Sequence, residues 1–277
     1  MLGAIYGDIV GSRFEFTGFD EYKFEMFHPS CRFTDDTLMT LAVGLTLVET
    51  KGDRDTYQKQ LVKNMREIAN MYPRQIGWGQ KFYKWLFDYK ISVPINSCGN
   101  GAGMRISPVG WFCDTLEETI ELSKLTTEVS HDHPEGIKGA ESVAVAIFLA
   151  RTGKSKEEIR EKMISYYPEI KDMTVAKYKA NGYGLDENGH CITCQGSIPQ
   201  AICAFLDSEN FEDAIRKAIT LGADSDTQAC ITGSIAEAYY GLTYDDEDKV
   251  FAYLPVELQR MYLAFCSIKK KRIKREI

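Results

Sequence analysis

Apolar side chains recur every three to four residues along nearly every long segment of this chain, a period that predicts helices rather than strands. From Leu38 the apolar positions Leu41, Ala42, Leu45 and Val48 keep that spacing. The same pattern runs through "TYQKQLVKNMREIANMY", "GQKFYKWLFDY", "LEETIELSKLTTEV", "EGIKGAESVAVAIFLA", "KEEIREKMISYY", "IPQAICAFL", "FEDAIRKAITL", "QACITGSIAEAYY" and "VELQRMYLAFCSI". Asp114 before Glu117, and Ser155 before Glu158, have the spacing of capping boxes at helix starts. "GAIYGDIVGSRFE" reads as a further helix, on which Gly3, Gly7 and Gly11 make a smooth stripe for another backbone, and Asp8 and Glu15 share a face. No repeat recurs and no linker divides the chain. The expectation is one compact all-α domain over residues 1–268, with a solvated basic tail at 269–277.

Composition narrows the function. The chain has 277 residues, 44% of them hydrophobic, enough for a sizeable core. Its net charge of −7 argues against a nucleic-acid partner held by bulk electrostatics. The N-terminus has no basic n-region before its apolar stretch, and no run is long and apolar enough to span a bilayer. A cytoplasmic protein with no membrane partner is expected, and as a monomer. Its eight cysteines should then be reduced thiols, and the lone CxxC at 191–194 lacks the second pair that a zinc site needs.

Two short stretches carry the chemistry. "FTDDT" brings Thr34, Asp35 and Asp36 to the start of an apolar-periodic segment, and "LGADSDT" does the same with Asp224, Asp226 and Thr227. One aspartate at a helix start is explained as a cap. A second charge in the same turn is not, because like charges a few ångströms apart repel unless a cation intervenes. Four carboxylates and two hydroxyls form an all-oxygen set suited to hard divalent ions, and helical folds build such sites from facing helices.

"GDIVGSRFE", "FTDDT", "CGNGAGMR" at 98–105, "SHDHPEGIKGA" at 130–140 and "LGADSDT" occur in that order, and together they resemble the ADP-ribosylglycohydrolase family over residues 3–241. The resemblance implies an orthogonal multi-helix domain with a centre of two Mg2+ ions, or Mn2+, that hydrolyses the bond between ADP-ribose and an acceptor. ADP-ribose, or an ADP-ribosylated protein or small molecule, is the partner it implies. Thr34, Asp35 and Asp36 match the first metal motif, and Asp224, Asp226 and Thr227 the second. Glu15 falls at the family's catalytic or metal-adjacent glutamate, with Asp36 as the other candidate for proton transfer. Gly99, Asn100, Gly101, Gly103 and Met104 lie in the loop that accepts the distal ribose and pyrophosphate, and His131 falls near a substrate-contacting histidine.

Several of these positions have a plainer reading. The glycines suit either a pyrophosphate cradle or a turn, and His131 and His133 either a ligand or a helix entry. Arg105 suits a phosphate or a salt bridge. "CITCQGSIPQA" departs from the Thr-Ser-Gly-Tyr-like stretch of nitrogenase-linked relatives; it should border the acceptor, with Gln195 as a ligand contact. The aromatic-rich segment 14–33 is either a lid or a loop pinned by its phenylalanines. Two rival functions share the scaffold: a non-catalytic ADP-ribose-binding module, and a metal-dependent hydrolase of another nucleotide or phosphate ester.

Overall fold

A helix without a polar face belongs in an interior, and Leu2–Gly11 (α1), whose one charged residue is Asp8, is buried at all 10 positions. The computed structural model describes residues 1–73, 77–183 and 190–273. The chain continues through α2 (Asp35–Thr50), α3 (Arg54–Met71), α4 (Gln80–Phe87), α5 (Gly101–Met104) and α6 (Ser107–Phe112). There follow α7 (Leu116–Glu128), α8 (Pro134–Arg151), α9 (Lys156–Ile164), α10 (Val175–Ala180) and α11 (Cys194–Leu206). Last come α12 (Phe211–Ile219), α13 (Ser225–Tyr240), α14 (Tyr244–Phe251) and α15 (Val256–Ile273). Among the described residues every regular element is helical, and no helix is long and apolar enough to cross a membrane.

All the expected helices form, and α5, α6, α10 and α14 are additional short ones that the apolar period is too brief to reveal. The capping box at Ser155 and Glu158 is present. The one expected at Asp114 lies one residue later: Thr115 caps α7 by accepting from Glu118 N–H, while Glu118 accepts from Asp114 N–H at 2.9 Å. Residues 269–273 of the expected tail continue α15, and residues 274–277 lie outside the described residues.

The core is a central set of helices, α1, α2, α8, α11 and α13, ringed by amphipathic ones. The glycine stripe sets its tightest contact. A Cβ on Gly3 would collide with the carbonyl of Gly233, one on Gly7 with that of Ala229, and one on Gly11 would sit 2.6 Å from Asp226 Cα. Thus α1 lies backbone to backbone along α13 and delivers Asp8 beside the start of that helix. Gly7→Val should force the two helices apart and destabilise the fold by about 3 kcal/mol, read as a lower midpoint in urea unfolding. An unchanged midpoint would mean that the contact is not tight.

Candidate active site

The helix predicted over residues 3–15 ends early. Ser12 Oγ donates to Ile9 O at 2.8 Å, satisfying a terminal carbonyl. The chain then turns through Phe14, and Phe16, held at φ 53° in the left-handed region, donates its N–H to Ala223 O at 3.0 Å. Glu15 therefore does not share a helix face with Asp8. The turn brings it instead to the start of α13, where oxygens of Glu15, Asp224 and Asp226 lie within 4.8 Å of one another.

Two helix N-termini meet there. Thr34 caps α2 by accepting from Asp36 N–H at 3.3 Å, so Asp35 and Asp36 occupy its first turn. Asp224 and Asp226 flank the start of α13, and both pairs sit at the positive ends of helix dipoles. Asp36 and Asp226, remote in the chain, come together: oxygens of Asp8, Asp36 and Asp226 lie within 4.8 Å of one another. Thr227 Oγ1 donates to Asp36 Oδ2 at 3.3 Å, which joins the two clusters directly.

Asp8 is the member that the sequence reading left without a role, although a lone carboxylate inside an apolar helix was the cue. It accepts from Thr34 N–H at 2.9 Å, Thr34 Oγ1 at 2.7 Å, Thr37 N–H at 3.1 Å and Thr37 Oγ1. Four donors use the lone pairs of a carboxylate, so Asp8 is best read as the holder of the α2 turn, although its oxygens lie near enough to join a cation site. Because the proton of Thr34 points to Asp8, the Thr34 oxygen keeps a lone pair beyond the one given to Asp36 N–H.

The electrostatics are those of crowded acids. Burial first, then Asp226 and Asp8, push Asp35 and Asp36 well above the ordinary aspartate value of 3.8. Asp226 is raised in the same way by burial and Asp224. Burial pushes Asp224 up to about 6, against hydrogen bonds with Asp226 and with Asn100, whose Nδ2 donates to Asp224 Oδ2 at 2.7 Å. Glu15, half-buried, is pushed up to about 7 by burial and by Asp226, while Arg32 pulls the other way. Oδ1 of Asp36 is buried with no hydrogen-bond partner. An unpartnered anionic oxygen inside an oxygen-only set fits a hard divalent cation.

These groups face a cleft of about 520 Å³. Of the expected site residues, Glu15, Asp35, Asp36, Asp224, Asp226 and Thr227 line it, as do Gly99, Asn100, Gly101, Met104 and His131. Thr34 lies behind the wall, fully buried. Gly103 is not in the lining either; its absent Cβ makes room for Ile198 Cδ1, 2.8 Å from where that carbon would sit. Gln195 also lies outside the lining, and its Oε1 is buried without a partner. The segment Gly77–Phe82, whose one sequence cue was the helix period from Gly79 onward, adds Trp78, Lys81 and Phe82 to the lining. Gly77, at φ 119°, presses so closely on Asp35 Oδ1 that a Cβ there would collide with it.

The glycine loop is tied down rather than open. Gly99 N–H donates to Ser97 Oγ at 3.1 Å and Gly103 N–H to Asn100 O at 2.8 Å, so neither is spare for a phosphate. Asn100 N–H donates to Ile192 O and Cys194 N–H to Cys98 O, each at 2.9 Å, fixing the loop to the segment that opens α11. Cys194 is wholly buried and its Sγ donates to Gly99 O at 3.2 Å, the part of a small packed side chain. His133 caps α8, its Nδ1 accepting from Glu135 N–H at 3.1 Å, whereas His131 faces the cleft.

The aromatic segment 14–33 packs as a pinned loop. Phe14 meets Phe19 at 4.2 Å and Phe24 at 4.9 Å, and the Arg216 guanidinium lies 4.7 Å from the Phe24 ring. Phe16 alone among the cleft-lining residues of this loop stands out, 46% exposed beside Glu15.

Residues 1–247 match the family model described as ADP-ribosylglycohydrolase. The chain is 28% identical over 273 residues to the ADP-ribosylarginine hydrolase Tri1 of Pseudomonas putida (strain GB-1), covering 88% of this chain and 70% of that protein. It is 26% identical over 261 residues to the ADP-ribosylhydrolase ARH3 of Gallus gallus, covering 76% of this chain and 70% of that one. A solved chain of an "ADP-ribosylglycohydrolase-related protein complex" has the same fold, with a TM-score of 0.68 at 22% identity over 97% of each chain.

Proposed function

Because the chain belongs to the ADP-ribosylglycohydrolase family, we propose that its cleft hydrolyses the glycosidic bond between ADP-ribose and an acceptor, with divalent cations, Mg2+ or Mn2+, at the paired aspartates. The observation that carries this reading is the meeting of Asp36 with Asp226 beside Glu15 at the wall of a ligand-sized cleft. Asp35, Asp36, Asp224 and Asp226, with the hydroxyls of Thr34 and Thr227, would hold the cations. When bound, these would neutralise the crowded carboxylates, orient ribose hydroxyls and lower the pKa of a water.

The residues themselves divide the remaining work. Cleavage at the anomeric carbon builds oxocarbenium character and needs a base for the attacking water. Glu15 suits that role, since it is the acid of the cluster nearest to solvent and its proton affinity lies close to neutrality. Asp36, almost wholly buried and bonded to Thr227, is placed to hold charge rather than to exchange protons with the cleft. Trp78, Phe82 and Phe16 form the walls that exclude competing water.

The test is to incubate the full chain with ADP-ribosylated arginine and serine peptides, in Mg2+, in Mn2+ and in EDTA. Cation-dependent release of free ADP-ribose is expected, and the faster substrate names the acceptor. Release of AMP or phosphate instead would replace this reading with a phosphate-ester hydrolase, and ADP-ribose binding without turnover would replace it with a binding module.

A further inference from the structure

Arg105 follows the glycine loop as the cap of α5 and is wholly buried. Neither expected partner is present: it does not line the cleft, and no carboxylate among the described residues pairs with it. Its Nη2 donates to Ser130 Oγ at 2.9 Å, its Nη1 lies 3.3 Å from His131 Nδ1, and its Nε has no hydrogen-bond partner. The Phe82 ring lies 5.5 Å from the guanidinium carbon and meets the His131 imidazole edge-on, also at 5.5 Å. A buried cation without a counter-charge is unfavourable, so its placement against a cleft histidine calls for a role.

The chemistry of the contacts defines that role. A guanidinium has donors only, so His131 Nδ1, facing Nη1, must accept. Ser130 Oγ, 2.8 Å from the same nitrogen, already accepts from Nη2, which leaves its own proton for Nδ1 as well. The two donors share the single lone pair of Nδ1, Ser130 Oγ at 2.8 Å and Arg105 Nη1 at 3.3 Å, and the ring proton is therefore on Nε2. That atom points at the glycine loop, 3.3 Å from where a Cβ on Gly101 would sit and 3.6 Å from one on Gly99.

We propose that Arg105 is a positioning residue acting through His131: it fixes the imidazole as the neutral Nε2–H tautomer and polarises that N–H toward an anionic oxygen of the bound ligand. Burial, and then the Arg105 charge, hold His131 well below its ordinary pKa, in keeping with a neutral ring. A side chain on Gly101 would crowd the Nε2–H donor, whereas the 3.6 Å at Gly99 is ordinary contact. The ligand part rests on the ADP-ribose reading, since a pyrophosphate supplies such an oxygen, whereas the tautomer does not depend on it.

The experiment is nitrogen-15 NMR of the imidazoles in the full chain near neutral pH, beside calorimetric titration with ADP-ribose. Wild type should show His131 with a protonated Nε2 and a bare Nδ1. Arg105→Met should disturb that signature and weaken ADP-ribose binding about tenfold, because the Nε2–H donor is then neither fixed nor polarised. Arg105→Lys should restore most of both. If Arg105→Met does not fold, Ser130→Ala removes one of the two Nδ1 donors and should shift the same signals. A proton on Nδ1, an imidazolium, or a signature and affinity indifferent to both substitutions would overturn the proposal. The expected tautomer with no ADP-ribose binding by wild type would overturn the function reading and leave the Arg105–His131 assignment in place.

Discussion

Glu15→Gln is expected to lower kcat for ADP-ribose release about 1000-fold, the size of a lost general base, while the Kd for ADP-ribose changes less than about threefold. Glutamine keeps the shape of the side chain and its acceptor oxygen but cannot carry a proton. The native group is held near neutrality by burial and by Asp226, against the pull of Arg32. The variant thus removes proton transfer and little else. Steady-state rates on the faster of the two peptide substrates, beside titration with ADP-ribose and with Mn2+, make the check. Full kcat in the variant would take Glu15 out of the reaction. Loss of Mn2+ binding would make it a cation ligand.

Asp36→Asn should weaken Mn2+ binding at least about 100-fold and, with EDTA present at about pH 8, raise the melting temperature by about 3 °C. The second effect follows from the direction of the pKa shift. The folded-state pKa of Asp36 is raised well above 3.8. Stability tied to its proton is therefore fully present below 3.8 and is lost as pH rises through the folded value. Above that value the carboxylate is a buried charge facing Asp226, Asp8 and Asp35. Glu15 adds the same trend between its ordinary 4.5 and about 7. Cation-free wild type should accordingly melt lower at about pH 8 than at about pH 6, and Mn2+ should reverse that loss. Asparagine has no charge to bury and escapes it. Melts at both pH values, in EDTA and in Mn2+, test both halves. Wild-type Mn2+ affinity in the variant, or a lower melting temperature than wild type in EDTA near pH 8, would contradict the assignment.

Much of this architecture could be read from the chain because its signals are local. The apolar period placed the long helices, the Ser155 capping box was found as expected, and the Gly3, Gly7, Gly11 stripe foretold a close backbone partner, which is α13. The paired aspartates foretold a shared site, and Asp36 and Asp226 do meet. Other features were misplaced or missed for the same reason. Whether the helix through Asp8 continues to Glu15 depends on Ser12 and Ala223, and the latter lies far along the chain. The Trp78 wall and the burial of Arg105 have no periodicity to announce them.

The sequence by itself determined the helices and the inventory of oxygen ligands, since a helix is closed by hydrogen bonds four residues apart and a side chain's donor chemistry belongs to the residue. Only the tertiary structure decided that the first turns of α2 and α13 face each other, that Glu15 swings to Asp226, and that Arg105 lies against His131 rather than an acid. Those placements are sums of many weak contacts between distant segments, and no short stretch of residues contains them.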